Sequence, residues 1–122
     1  MKILVPVDGS EFSRAAVEFV ASRSTLIGTE PQVDVINVQF AVPARAARVV
    51  GKAALTEYYT DESDKALKPA LRRLAKAGLT ATAHYLVGHP GEEISAAAVR
   101  DKVDLIVMGS HGRHGLAGLM LG

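Results

Sequence analysis

Four short apolar runs, rich in β-branched residues and separated by polar or glycine-containing turns, recur along the chain. They cover residues 3–7, 32–40, 79–87 and 105–108. The last run places four consecutive apolar residues between Asp104 and Gly109, a pattern typical of a strand covered on both faces. The pattern predicts four strands.

A helix is predicted directly after the first strand. Ser10 can cap it, and Gly28 can supply its left-handed exit. Its apolar positions, which fall at helical spacing and should face the core, are Phe12, Ala16, Phe19 and Val20.

Two further helices are predicted, over residues 60–77 and 92–102. The first has leucines at 67, 71 and 74 on one face and Gly78 as its terminator, and Pro69 should kink or restart it. Residues 41–59, with Pro43, Gly51 and alternating Ala and Arg, fit a loop or a frayed helix.

Strands that alternate with helices predict an α/β fold, a doubly wound and mostly parallel sheet with helices on both faces. In such sheets ligands bind outside the carboxyl ends of the strands, where the strand order reverses. Two segments follow strand ends and could meet there: the turn at residues 8–10, and the chain from Gly109 onward.

Composition excludes several classes of protein. Of the 122 residues, 48% are hydrophobic and 22% are charged, as in one folded soluble domain. The net charge of +1 and the 5% aromatic content argue against partners such as nucleic acid or a membrane surface. The absence of cysteine excludes disulfides and thiolate chemistry. With no signal-like start and no apolar run near the roughly 20 residues of a membrane span, a cytoplasmic location is expected.

The segment 109–122 is the candidate phosphate-binding segment, since five of its fourteen residues are glycine. Glycines let successive backbone N–H groups converge on phosphate oxygens, although the same composition also fits a mobile surface turn. Neither of the two standard glycine-rich nucleotide fingerprints is present. The histidines of this segment, His111 and His114, are interpreted as exposed spacers.

The spacing Gly109, two residues, Gly112, nine residues, Gly122 resembles the phosphate-binding signature of ATP-binding universal stress proteins. Residues 5–10 and 104–109 resemble the same family, so the likeness spans essentially the whole chain. The serine, threonine or asparagine that normally follows the last glycine of the signature is missing, because the sequence stops at Gly122.

The resemblance implies a nucleotide site. The corresponding positions are Pro6, Val7, Asp8, Val38, Met108, Gly109, Gly112, Arg113 and Gly122. The first three would border the nucleoside, with Asp8 near the ribose or the metal. Val38 would meet adenine through its backbone, Met108 and Gly109 would flank base and ribose, and the last three would contact phosphates. The implied cofactor is ATP with Mg or Mn, held mainly by the phosphates. No catalytic residue and no metal site of the protein's own is implied.

The family fold is Rossmann-like, of the adenine nucleotide alpha hydrolase kind. Residues 1–122 are interpreted as one such domain, C-terminally incomplete, that lacks the family's last helix and last strand. The sheet is then expected to end on strand four, with an edge open to pairing. Without a helix N-terminus facing the phosphates, triphosphate binding should be weaker.

Three functions stay open. The first is an ATP-binding stress-response regulator, which the resemblance implies to be a homodimer, with an unknown protein partner and at most slow ATP hydrolysis. The second is a nucleotide-free dimeric interaction module of the same fold. The third, an enzyme such as a nucleotidyl transferase or an ATP pyrophosphatase, would need a further catalytic motif that the sequence does not contain. The sequence does not choose between ATP and other adenylates.

Overall fold

A computed structural model describes residues 1–23 and 30–109, and the backbone of residues 119–121. The elements, in chain order, are β1 Lys2–Pro6, α1 Glu11–Ser22, β2 Gln32–Gln39, α2 Ala44–Val50, α3 Lys52–Lys76, β3 Ala81–Val87, α4 Pro90–Arg100, β4 Leu105–Val107 and β5 Leu119–Leu121. All four predicted strands are present, each within two residues of its predicted start.

The sheet has the strand order β3-β2-β1-β4-β5. The first four strands of this order pair in parallel, with helices on both faces, which confirms the predicted α/β fold. The sheet does not end on β4, so that expectation is wrong: β5 pairs with it antiparallel, Leu105 opposite Leu121. The run Leu119–Leu121 is only three residues long and is flanked by glycines, a weak strand signal, yet its backbone pairs with the free hydrogen-bonding edge of β4.

Two apolar layers cover the two faces of the sheet, as the alternation of side chains along β1 requires. Ile3 and Val5 pack under α1 and α3, in a cluster that includes the fully buried Leu74. Leu4 points to the other face, where it packs against α4 through Ala97. Helices on both faces leave the carboxyl ends of the strands as the place where a ligand can approach the sheet.

Helix α1 begins as predicted, because the Ser10 hydroxyl accepts a hydrogen bond from the backbone N–H of Ser13. Its buried face differs from the prediction. The buried residues, at ideal helical spacing, are Ser13, Ala16, Val17, Val20 and Ala21. Phe12 and Phe19 flank this stripe and are each 38% exposed. Gly28, the predicted exit, lies outside the described residues.

The interpretation of residues 41–59 as a loop or frayed helix is wrong for most of the segment. It forms α2 and the first eight residues of α3, which are separated at Gly51 with φ +87°. Helix α3 runs through Pro69 without restarting and ends before Gly78, whose φ is +79°. Because Leu67 and Ala70 are buried against the sheet, packing on either side of the proline offsets its local cost, about 3 kcal/mol.

Helix α4 begins at Pro90, two residues before the predicted start, and ends at Arg100. Proline suits this first position, since the N–H that it lacks would have no partner within the helix. Among the described residues, no helix is both long and apolar enough to cross a membrane.

Candidate functional site

The strand order reverses between β1 and β4, which are neighbours in the sheet. The residues that follow them, the turn at 8–10 and Gly109, therefore lie at the same edge. Gly109 packs tightly on the first turn of α1: a Cβ atom at Gly109 would lie 2.5 Å from the carbonyl carbon of Phe12 and 2.8 Å from its Cβ. Only glycine allows this approach without a shift of the backbone.

Asp8 stabilises the turn that follows β1. Its Oδ1 accepts a hydrogen bond from the Ser10 N–H at 2.9 Å, and its own N–H donates to the Ser13 hydroxyl at 3.3 Å. This is the structural role that an aspartate before glycine commonly has. The carboxylate is half-buried and also lines a cleft, so a structural and a binding role are compatible.

The cleft lies at the carboxyl end of β2, has a volume of about 550 Å³, and brings together two of the predicted site residues, Asp8 and Val38. Its walls come from the turn after β1, from the end of β2 and from α3. The lining residues are Asp8, Gly9, Asn37, Val38, Gln39, Phe40, Tyr58, Glu62, Lys65 and Ala66.

The other predicted residues are not part of this lining. Pro6 is the last residue of β1, and Val7 is buried in the core cluster under α1 and α3. Met108 packs against the core cluster on the α4 face, and Gly109 packs against α1. The remaining three, Gly112, Arg113 and Gly122, lie outside the described residues.

Asn37 is a cleft residue that the sequence interpretation missed. Its side chain is 6% exposed, and its Nδ2 donates a hydrogen bond of 2.9 Å to the carbonyl of Val7, directly before Asp8. Its Oδ1 is buried and accepts no hydrogen bond from the described part of the chain. A buried acceptor without a donor is costly and uncommon, so Asn37 marks this cleft as a polar site. The signal in the sequence was an amide side chain flanked on both sides by apolar residues, Ile36 and Val38, within strand two.

Helix α3 supplies a wall that was also missed. Tyr58, Glu62 and Lys65 line the cleft at helical spacing, and Lys65 Nζ lies 3.1 Å from Glu62 Oε1. Glu62 and Lys65 lie in the helix predicted over residues 60–77, whereas Tyr58 belongs to the segment interpreted as a loop or frayed helix, so the position of Tyr58 could not be derived from the sequence.

The described walls of the cleft do not form a positively charged site for phosphate. Their charged residues are two carboxylates, Asp8 and Glu62, and one lysine, Lys65. A phosphate group needs positive charge or a metal, and the single lysine of these described walls is offset by two carboxylates. Within the described residues, no group of three or more His, Asp or Glu side chains could hold a metal ion.

Two histidines near the sheet, His84 and His89, lie beside other side chains. His89 packs edge-on against Phe40, with ring centroids 5.8 Å apart. His84, on β3, has its Nδ1 3.7 Å from Asp34 Oδ1 on the neighbouring strand. The contact of His89 positions Phe40 at the rim of the cleft.

Comparison with known proteins gives consistent matches. The model of the Universal stress protein family matches residues 1–122. Universal stress protein YxiE of Bacillus subtilis is 30% identical over 129 residues, which cover 99% of this chain and 86% of YxiE. The solved structure of MJ0577, from Methanocaldococcus jannaschii, superposes with a TM-score of 0.75 at 31% identity, over 99% of this chain and 82% of that one.

Two more distant structures contain nucleotides. One is a universal stress protein in complex with cAMP, with a TM-score of 0.66 and 22% identity over 90% of this chain and 76% of that one. The other is an Arabidopsis thaliana family protein with AMP bound, with a TM-score of 0.66 and 18% identity over 93% and 78% of the two chains. At these identities the likeness shows a shared fold.

Proposed function

The chain belongs to the universal stress protein family, and from this premise we propose that it binds an adenine nucleotide, ATP above all, at the carboxyl ends of β1, β2 and β4. Occupancy of the site would regulate the stress response by changing dimerisation or contacts with a protein partner. The structures with cAMP and AMP support this class of ligand, since they share the fold.

The observation that carries the proposal is the cleft shared by Asp8 and Val38. These residues follow or end neighbouring strands, were predicted as site residues, and line one cavity of about 550 Å³. That volume falls within the range of about 300–1,000 Å³ that is typical of small-molecule sites. Asn37 also lines the cleft, and its Oδ1 is a buried acceptor with no hydrogen-bond donor among the described residues.

In this proposal the backbone at Val38 contacts adenine and the Asp8 carboxylate contacts the ribose. Met108 and Gly109 flank the nucleoside on the β4 side, and the segment with Gly112, Arg113 and Gly122 contacts the phosphates. The described residues fit the nucleoside but offer no metal cage of their own. Mg or Mn would therefore be held mainly by phosphate oxygens and water, where it would neutralise phosphate charge.

Calorimetric titration of the folded chain with magnesium ATP, AMP and GTP tests the proposal. Asp8→Asn is the matched variant, because its side-chain oxygen can still accept the Ser10 hydrogen bond while the charge is lost. We expect micromolar binding of the adenylates, weaker binding of GTP, and a loss of affinity in Asp8→Asn without a loss of stability. Gly109 is unsuitable for this test, since its substitution disturbs α1.

Absence of binding heat from a folded chain with either adenylate would overturn the proposal. The nucleotide-free dimeric interaction module would then be the better account, and the dissociation constant of the dimer would be the next quantity to measure.

A further inference from the structure

Tyr58 places an aromatic ring at the rim of the cleft, half in solvent. The ring is 50% exposed, whereas the next residue, Tyr59, is buried at 8%. A single exposed aromatic residue is ordinary on a protein surface. The position of Tyr58 indicates a role in binding because contacts of the neighbouring Tyr59 hold its backbone beside the cleft.

Tyr59 holds α3 against β2, the segment that follows β2, and β3 through one contact to each. Its hydroxyl accepts a hydrogen bond from the N–H of Val42 at 2.8 Å, and its carbonyl accepts one from Gln39 Nε2 at 2.8 Å. Its ring also packs on Tyr85 of β3, with centroids 6.2 Å apart. The backbone that carries Tyr58 is therefore fixed relative to Val38 and Gln39, so little order has to be imposed on it when a ligand binds.

The end of β2 contributes apolar and aromatic side chains to the same cleft. Val38 lines the cleft, and Phe40, held edge-on by His89, is 54% exposed at the same cleft. The cleft combines these apolar and aromatic side chains with polar ones such as Asp8 and Gln39, so it suits a planar ring that is apolar on its faces and carries polar groups on the rest of the ligand. A purine nucleoside has this chemistry.

We infer that Tyr58 stacks on the face of the adenine base and so determines much of the affinity of the site. The inference rests on the proposed function, because it requires the base to occupy the cleft lined by Val38. Stacking of a nucleic-acid base on an aromatic side chain changes affinity by about 5- to 150-fold when the side chain is removed. Because the base is common to ATP and AMP, removal of Tyr58 should weaken both by the same factor.

The test compares AMP and ATP affinities of the wild-type chain, Tyr58→Ala, Tyr58→Phe and Phe19→Ala by calorimetric titration. Phe19 is the matched control, an exposed aromatic on α1 that packs on Arg23 and does not line the cleft. We expect Tyr58→Ala to weaken both ligands about 5- to 150-fold, while Tyr58→Phe stays within about twofold of wild type because it keeps the ring. Phe19→Ala should bind as wild type.

Tyrosine fluorescence gives a second readout, since the chain contains three tyrosines and no tryptophan. Saturation with AMP should quench the wild-type signal, and Tyr58→Phe should lose most of that quenching while it still binds. If wild type binds adenylates and Tyr58→Ala binds them equally well, the inference is overturned and the proposed function stands. If wild type binds no adenylate, the proposed function fails and the inference fails with it.

Discussion

A single methyl group added at Gly109 is expected to lower the free energy of unfolding by about 1–3 kcal/mol, the usual cost of overpacking a tight contact. In Gly109→Ala the new Cβ would lie 2.5 Å from the carbonyl carbon of Phe12, where ordinary contacts span 3.4–4 Å. To relieve this clash, the backbone at residue 109 and that of Phe12 must therefore move apart by about 1 Å. The two closest atoms, the carbonyl oxygen and carbon of Phe12, belong to the backbone, and the third, Phe12 Cβ, does not move when the side chain rotates, so no rotamer change can relieve the clash.

Urea unfolding followed by circular dichroism measures this cost, with Gly78→Ala as the control. Gly78 has φ +79° and nothing within 4 Å of an added Cβ, so its substitution costs only backbone strain, about 1–2 kcal/mol. Phe12→Ala should not rescue Gly109→Ala, because it leaves the Phe12 main chain in place. An unchanged urea midpoint for Gly109→Ala would refute the reasoning, and rescue by Phe12→Ala would show that the side chain carries the clash.

Two further predictions concern stability and pH. Asn37→Asp should destabilise the fold by about 1–3 kcal/mol or more, because an ionised carboxylate cannot donate to the Val7 carbonyl as Asn37 Nδ2 does. Burial raises the pKa of the new carboxyl, so the loss of unfolding free energy relative to wild type should shrink as pH falls and the carboxyl becomes protonated. Urea midpoints of wild type and variant that differ by the same amount at all pH values would contradict this. Arg73 donates hydrogen bonds of 2.6 and 2.8 Å to Glu18 and lowers the pKa of that carboxyl. This exposed pair should stabilise the fold slightly at neutral pH, and the stabilisation should disappear as pH falls through the lowered pKa of Glu18. The urea midpoints of wild type and Glu18→Gln should therefore differ at neutral pH and become equal in acid.

The strands could be predicted from the sequence because each is a β-branched apolar run that ends at a turn signal. The helical region after β2 could not, since α2 has no buried residue and so shows no apolar stripe. Helix α3 likewise begins with a largely exposed segment in which Tyr59 is the first buried residue. Without an apolar face there is no helical periodicity to detect, and tertiary context decides the conformation.

In the candidate site, the residues at strand ends marked by apolar runs could be predicted from the sequence. The residue on the first turns of α3, which show no apolar stripe, could not. Asp8 and Val38 belong to well-marked strand ends, so parallel pairing of β1 and β2 brings them to one cleft. Tyr58 reaches that cleft only because α3 begins at Lys52, eight residues before the predicted start of the helix at residue 60. The roles of Gly112, Arg113 and Gly122 stay predictions of the family resemblance.

The most direct test of the account is to map, residue by residue, where a nucleotide binds. Backbone amide NMR spectra of the chain, recorded with and without saturating magnesium ATP, provide this map. The account predicts that the large shift changes among described residues cluster at 8–10, 38–40 and 58–65. Changes confined to the opposite end of the sheet, around Asp34 and His84, or no changes at saturating nucleotide, would contradict it.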